Sequence, residues 1–474
     1  MNDHPFINRE KELAFLENAW NQDAPQMLIV WGKRRIGKTE LIKQFIRGKP
    51  HIYFLGESTS GTEQIRRFSE SLAAFFKDPL LEARGFAGWE EAFRYLAARK
   101  EKILLAIDEF PYLVESNRAI PSLFQKAWDE HLSKSPLYLI LLGSSIAMME
   151  QEVLSLRSPL FGRRTGQWRV DPLPFASAAL FRRSRSFEDR FSHYAVAGGV
   201  PAYWLQFDGK AGFWENVQSR VLTKGRPLYE EVEFILREEL REPRYYFALL
   251  QAIAQGKRKL AEIVNATGIP QPSANKYLGV LGDLKIVERE VPVTEKMPSK
   301  SRRGYYRITD EFFWFWFKYV FPYRAELELG NTSDVLGRIR GTWAEHLGGV
   351  YEIVAREMLW QARDRIFPFS AAGRWWNKKE EIDVVAVNPE LNSILFGEAK
   401  WSKRPVGTDI LERLKEKAAK VVWGTAGRNE FYALFSRAGF TEAVMKKAAC
   451  GDLLLFTQGS LIEGEDCHRV AGQG

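Results

Sequence analysis

Met27-Leu28-Ile29-Val30-Trp31-Gly32-Lys33-Arg34-Arg35-Ile36-Gly37-Lys38-Thr39-Glu40-Leu41 decides how this chain is read. Met27 to Val30 is a short apolar run of the kind that forms a buried strand. Gly32 to Thr39 then fills every fixed position of G-x-x-x-x-G-K-[ST], and a helical pattern follows, as a P-loop requires. Gly32 and Gly37 let the backbone close around phosphate oxygens, and the amides at the following helix N-terminus supply partial positive charge. Lys38 adds a full charge toward the β- and γ-phosphates, and the Thr39 hydroxyl is a Mg²⁺ ligand. ATP and Mg²⁺ are therefore the expected cofactors, with ADP as product.

Working outward, Leu13, Leu16 and Trp20 recur at helical spacing before the P-loop strand. Beyond it, His51 to Leu55 reads as a strand, and Thr62 to Lys77 and Trp89 to Arg99 as helices. Strands alternating with helices predict a doubly wound parallel sheet. The run Ile103 to Ile107 ends in Asp108-Glu109, the form of a Walker B strand. Asp108 is placed to hold the Mg²⁺ shell, and Glu109 to orient or deprotonate the attacking water. Leu137 to Leu142 is a further buried strand, ending in Gly143-Ser144-Ser145, where Ser144 either senses the γ-phosphate or caps a helix. Beyond it, Arg163 is the leading candidate for an arginine finger, in cis or in trans, and Arg164 the alternative.

The order of FINREKEL, the P-loop, ILLAIDEF, LILLGSS, PLFGRR and Gly198-Gly199-Val200-Pro201 resembles archaeal and bacterial ATPases of the STAND branch of AAA+-like P-loop proteins. That resemblance implies that Arg9 flanks the nucleotide from an N-terminal box. It also implies that Pro201, in a G-x-P element, lies near the adenine in a helical lid.

From Tyr245 the pattern changes. A helical stripe of Phe247, Leu250, Ile253 and Ala254, a short helix over 260–265, a turn at Thr267-Gly268-Ile269-Pro270 and a helix over 273–284 make a helix-turn-helix. Strands over 286–291 and 305–308, joined by a loop with Lys300, Arg302 and Arg303, complete an expected winged helix. Lys276 and these three basic residues either contact DNA phosphates or are simply solvated. Asp310 to Trp316 resembles the D-x-F-x-x-F-W connector of the same family.

A third set of chemical residues follows. A helix over 342–360 carries Glu352, and Asp383 lies on a strand that turns at Asn388-Pro389. The return strand ILFGEAK places Glu398 and Lys400 on one face. Asp383 followed by E-x-K across a hairpin resembles the PD-(D/E)xK nuclease core, with Ile382 in place of the signature Pro and Glu352 at the supporting acidic position. Asp383 and Glu398 are expected to hold one or two Mg²⁺ ions, and Lys400 to position an attacking water. The domain is either a metal-dependent nuclease or a binding fold that has lost cleavage.

The 474 residues give room for several cores. The expected division is an ATPase core over 1–175, a helical lid over 176–240, a winged helix over 241–311, an aromatic connector over 312–340 and a restriction-endonuclease-like α/β domain over 341–474. With 45% hydrophobic and 27% charged residues the composition is globular, and the formal charge of +8 favours polyanionic partners. Two cysteines, Cys450 and Cys467, provide neither a disulfide framework nor a zinc motif. Met1 to Glu10 lacks the apolar stretch of a signal peptide, so a cytoplasmic location is expected. Phe312 to Tyr323 is shorter than the ~20 residues that span a bilayer and contains Lys318, so no membrane partner is expected. The expected function is an ATP-hydrolysing switch coupled to DNA handling, possible as a homo-oligomer. The alternative is a signalling or scaffold switch whose downstream domains bind protein.

Overall fold

The structure, a computed structural model, describes residues 6–240, 242–449, 451 and 453–462; both cysteines lie outside the described residues. It consists of two units. One comprises Met1–Leu173, Val200–Leu205 and Ile235–Arg241, and the other Pro174–Gly199, Gln206–Phe234 and Glu242–Gly474.

The first unit is built on five strands, β1 (Gln26–Trp31), β2 (His51–Leu55), β3 (Ile103–Asp108), β4 (Leu137–Gly143) and β5 (Gly166–Arg169). All are parallel, in the spatial order β2-β3-β4-β1-β5. β3 and β4 are buried at every position, as continuous apolar runs must be when helices cover both faces. One face packs Phe68, Trp89, Phe93 and Phe124; the other packs Leu16, Phe45 and Tyr138. β4 therefore lies between the P-loop strand and β3, and its end emerges between their two loops. β5 was not among the expected strands. Its four residues alternate half-buried and exposed, too short a pattern to stand out, and it forms by pairing with β1.

In the second unit, the helix Phe187–Ala197 stacks Phe191 on Trp401, with centroids 4.3 Å apart, and sets it edge-on to Tyr351. Tyr194 also donates to Glu357 at 3.2 Å. Of the segment expected as the lid, 176–240, residues 200–205 and 235–240 group with the first unit and the remainder with the second. Helices Pro243–Ala254, Leu260–Thr267 and Gln271–Asp283 precede an antiparallel pair, β6 (Val287–Glu290) and β7 (Tyr305–Ile308). In the aromatic run Phe312, Phe315, Trp316 and Phe317 are fully buried, and Trp316 donates its indole N–H to the Tyr229 carbonyl at 2.8 Å. Among the described residues no helix is long and apolar enough to cross a membrane.

A 30-residue helix, Thr332–Gln361, starts ten residues before the expected Thr342. It packs beside a mixed sheet of β8 (Ala371–Trp376), β9 (Glu381–Asn388), β10 (Ser393–Lys400), β11 (Asn429–Ser436), β12 (Leu454–Thr457) and β13 (Ser460–Leu461), adjacent in that order. β8, β9 and β10 pair antiparallel, whereas β10, β11 and β12 are parallel. The helix Thr408–Ala418 covers the sheet with Leu411 and Leu414.

Candidate functional site

Two constellations stand out, one in each unit. In the first, Gly32 has φ 153° and lies so close to the Val170 carbonyl that a Cβ would sit 2.4 Å from its oxygen. Gly37, at φ 94°, turns the chain into the helix Lys38–Phe45 through a conformation that favours glycine. Lys38 is 5% exposed, and its Nζ donates to the carbonyls of Gly32 and Lys33, each at 2.9 Å. Burial lowers the pKa of its ammonium to about 8, against the pull of Glu109 and Asp108.

Thr39 Oγ1 donates to Asp108 Oδ2 at 2.7 Å, and the Tyr53 hydroxyl donates to the same oxygen at 2.5 Å. The other Asp108 oxygen accepts from the Glu109 amide at 2.9 Å, so the carboxylate is fixed from three sides. Glu109 adopts a left-handed backbone, φ 50°, that turns its side chain toward the end of β4. There the Ser144 hydroxyl donates to Glu109 at 2.5 Å. Ser145, not Ser144, caps the next short helix, accepting from the Met148 amide. Ser144, expected as a sensor or a cap, thus faces Glu109, the residue expected to orient the attacking water.

Arg9, 6% exposed, braces the loop by donating to the Ile36 carbonyl at 3.1 Å and the Asp171 carbonyl at 3.0 Å while pairing with Glu12. Pro201 opens the short helix Pro201–Trp204, in the same unit as the P-loop. Arg163 goes elsewhere. It pairs with Asp129 at 3.0 Å, and Thr165, two residues on, bonds to Met27 at the start of β1. Met27 is five residues before Gly32, so along a strand Arg163 lies roughly 15 Å from the phosphate loop of its own chain. Arg164 points at the carbonyls of Val153 and Leu154 instead. The register of β5 on β1 holds both arginines at the end of the sheet opposite their own phosphate loop.

Sequence reasoning missed three neighbours of this site: Tyr53, Arg34 and Glu239. Arg34 pairs with Glu238 at 3.3 Å, and Glu239 accepts from Ser145 at 3.2 Å. Burial raises the Glu239 pKa. Only the Arg34 position, inside the P-loop, carried any sequence signal. The Thr39 hydroxyl and Asp108 carboxylate are hard oxygen donors already within contact of each other, a set that fits Mg²⁺.

The second constellation lies on β9, β10 and the helix Thr332–Gln361. Asp383 and Glu398, each 7% exposed, stand on antiparallel neighbours, and the Asp383 carboxylate accepts from the Ala399 amide at 3.0 Å. Burial, reinforced by the negative charges of Glu352 and Glu398, raises the Asp383 pKa to about 7. Lys400 Nζ donates to Glu398 at 2.7 Å; burial opposes its charge, but Glu398 holds the ammonium above its usual range. Lys417, from the helix Thr408–Ala418, bonds both Glu398 oxygens at 3.0 and 3.1 Å. It was not foreseen, since only the packing of that helix on β10 brings it there. Glu352 is 3.5 Å from Arg374, and Arg356 donates to the Asp383 carbonyl at 3.2 Å. Among the described residues, no three acidic, His or Cys side chains converge closely enough to hold a metal by themselves. Mg²⁺ commonly takes only one or two carboxylates, with phosphate and water completing its shell, so the pair Asp383 and Glu398 fits that use.

The parallel sheet, the phosphate loop and the Thr39–Asp108 and Glu109–Ser144 pairs define a P-loop ATPase. A family model described as an ATPase domain predominantly from Archaea matches residues 6–207, and a second, of archaeal and bacterial proteins of unknown function, matches residues 316–422. The uncharacterized protein MJECL04 of Methanocaldococcus jannaschii is 33% identical over 456 residues, covering 95% of this chain and 98% of that protein. The chain belongs to the family of that relative. An uncharacterized ATP-binding protein of the same organism, MJ0423, is 50% identical over 44 residues, 9% of this chain and 75% of its own length. Among solved structures, the Walker-type ATPase PABY2304 of Pyrococcus abyssi shares the fold, with TM-score 0.51 and 22% identity over 66% of this chain and 96% of its own.

Proposed function

We propose that the chain is a STAND-type, Mg²⁺-dependent ATP switch whose C-terminal PD-(D/E)xK-like domain binds DNA and cleaves it. The observation that carries this reading is the meeting of Asp383, Glu398 and Lys400 on one antiparallel pair, with Glu352 brought alongside by the helix Thr332–Gln361. A divalent ion bound there would polarise a scissile phosphate. The protein's own groups do the rest: Asp383 and Glu398 hold the ion, and Lys400 and Lys417 place positive charge beside it.

The winged-helix reading of residues 241–311 is supported by three helices followed by an antiparallel pair, with Lys276, Lys300 and Arg302 exposed for phosphate contact. Arg303 is partly spent on Glu295 and the Trp376 carbonyl. In the ATPase unit, Lys38 and the loop amides bind the β- and γ-phosphates, Arg9 and Pro201 frame the nucleotide, and Glu109, tied to Ser144, orients water. An arginine finger comes from a second copy, because Arg163 is held far from its own phosphate loop. We read the division as ATPase core, lid, winged helix, connector and nuclease-like domain, in a cytoplasmic protein.

The test is divalent-ion calorimetry on the full chain together with cleavage assays on DNA and RNA, with and without ATP. Ion binding that Asp383→Ala removes, and cleavage that Lys400→Ala abolishes, support the reading. Ion binding unchanged by Asp383→Ala sinks it. The second reading, an ATP-driven scaffold with protein-binding downstream domains, is favoured by one observation: two lysines already neutralise Glu398. Salt-independent failure to bind any nucleic acid would select it.

A further inference from the structure

A cavity of about 860 Å³ opens within the second unit, between the hairpin β6–β7 and the helix Thr332–Gln361. Its wall is cationic: Arg258, Arg307, Lys318, Arg338, Arg356 and Arg374 all line it. Three carboxylates, Glu290, Glu345 and Glu352, share the lining, and Glu288, Glu326 and Glu381 outside it pair with Arg307, Arg338 and Arg374. Four of the arginines gather around Glu290, which pairs with Arg307 at 3.0 Å and Arg356 at 3.9 Å and also feels Arg374 and Arg258.

Crowding buried arginines together is costly unless anions meet their hydrogen-bonding groups. Arg356 lies in that crowd, 3.9 Å from Glu290 and lining the cavity with Arg307 and Arg374. Arg374 is only 5% exposed, and its Nε finds no hydrogen-bond partner although the guanidinium touches Glu352 and Glu381. A planar guanidinium fork with an unmet N–H suits a phosphate, which accepts two parallel bonds.

The remaining walls are aromatic. Tyr306, Tyr319 and Trp314 line the cavity, and Trp314 reaches it over Gly349, where a Cβ would stand 2.7 Å from the indole ring. Flat rings beside a cationic cluster match a base attached to a phosphate. The volume is far more than an inorganic ion needs and lies in the range of small-molecule sites. Glu352 and Arg356 sit in this wall and also belong to the Asp383 neighbourhood, so the cavity leads to that centre.

We propose that this cavity binds one nucleoside monophosphate unit, its phosphate on Arg258, Arg356 and Arg374 and its base against Trp314 and Tyr319. The unit is either the end of a single strand feeding the Asp383–Glu398 centre, which rests on the nuclease reading, or a free nucleotide that occupies the same contacts.

The experiment is calorimetry on the full chain in chelator, with Lys38→Ala present throughout so that the P-loop does not compete. The probes are deoxyadenosine monophosphate and a single-stranded tetranucleotide with or without a terminal phosphate. Binding is expected to weaken about tenfold or more in Arg258→Ala and in Arg374→Ala, since each removes a charge-assisted bond to phosphate. Arg258 is half-buried, outside the Glu352–Glu381 pairing, and keeps the test sound if Arg374→Ala fails to fold. Phosphorylated strand binding over mononucleotide identifies a strand end; equal binding identifies a free nucleotide; both support the pocket. Absence of binding by every probe, or affinity unchanged in both arginine variants, overturns it. Divalent-ion binding at Asp383 is measured separately: pocket binding without it sinks the nuclease reading alone, and ion-dependent cleavage with no pocket binding sinks the pocket alone.

Discussion

Thr39 Oγ1 and Asp108 Oδ2 lie 2.7 Å apart, joining the start of the P-loop helix to the end of β3 across 69 residues of chain. The bond holds at one place the two oxygens expected to serve a Mg²⁺ ion. Asp108→Asn keeps the shape and removes the charge. ATP turnover at fixed Mg²⁺ is expected to fall about a hundredfold or more, with partial recovery at high Mg²⁺, measured by phosphate release.

Lys38 and Glu109 are expected to separate binding from chemistry. Lys38→Ala removes the charge facing the phosphates and weakens ATP binding, whereas Glu109→Gln leaves binding intact and stops hydrolysis. A Glu109→Gln variant that hydrolyses ATP at the wild-type rate would exclude the water-orienting role. The lowered Lys38 pKa, about 8, adds a pH signature. Below that value the ammonium is charged and attracts phosphate; above it the charge is lost, so ATP affinity falls from pH 7 to pH 9. Lys38→Arg stays charged and flattens that dependence.

Arg163 pairs with Asp129 away from its own phosphate loop. The double variant Arg163→Ala, Arg164→Ala is therefore expected to bind ATP normally. If a second copy receives the arginine, turnover drops by ~10³-fold and mixing with Glu109→Gln restores part of it. Unchanged turnover removes both arginines from the chemistry.

Glu311 is buried beside Asp310 and Glu357, and burial first, then those charges, raises its pKa to about 8. A carboxyl with an unfolded value near 4.5 and a folded value near 8 binds its proton more tightly when folded. Its stabilising share is complete below pH 4.5 and is lost as pH rises to 8. Glu311→Gln, neutral throughout, should melt close to the wild type at pH 5 and several degrees above it at pH 8, read by thermal unfolding. A constant difference across that range would show that packing, not ionisation, governs the site.

Lys400 and Lys417 both bond Glu398, yet they enter from a strand and a helix. Lys400→Ala is expected to abolish cleavage while divalent-ion binding persists. Lys417→Ala removes a competing cation from Glu398 and should tighten ion binding severalfold, checked by calorimetry. Loss of ion binding in Lys417→Ala would instead mark that lysine as needed to hold the carboxylate in place.

Much of the ATPase site was legible because its chemistry is local. The glycines, Lys38 and Thr39 are contiguous, since one phosphate group is wrapped by one loop, and Asp108-Glu109 ends an apolar run that reads as a buried strand wherever it is placed. The E-x-K pair of Glu398 and Lys400 was legible for the same reason: alternation on a strand puts both on one face. Tertiary structure decided the rest. The register of β5 on β1 sends Arg163 to the far end of the sheet, and four residues of weak alternation gave no hint of that strand. β8 was equally hidden, being interrupted by a register shift between Gly373 and Trp375. Lys417 reaches Glu398 only because its helix packs on β10. Glu290, Arg307, Arg356 and Arg374 share a cavity although no period links them in the chain, because their proximity is set by how a hairpin, a long helix and a sheet edge pack together. Sequence sets which groups a short segment presents; charges from distant segments become a site only when packing buries them together.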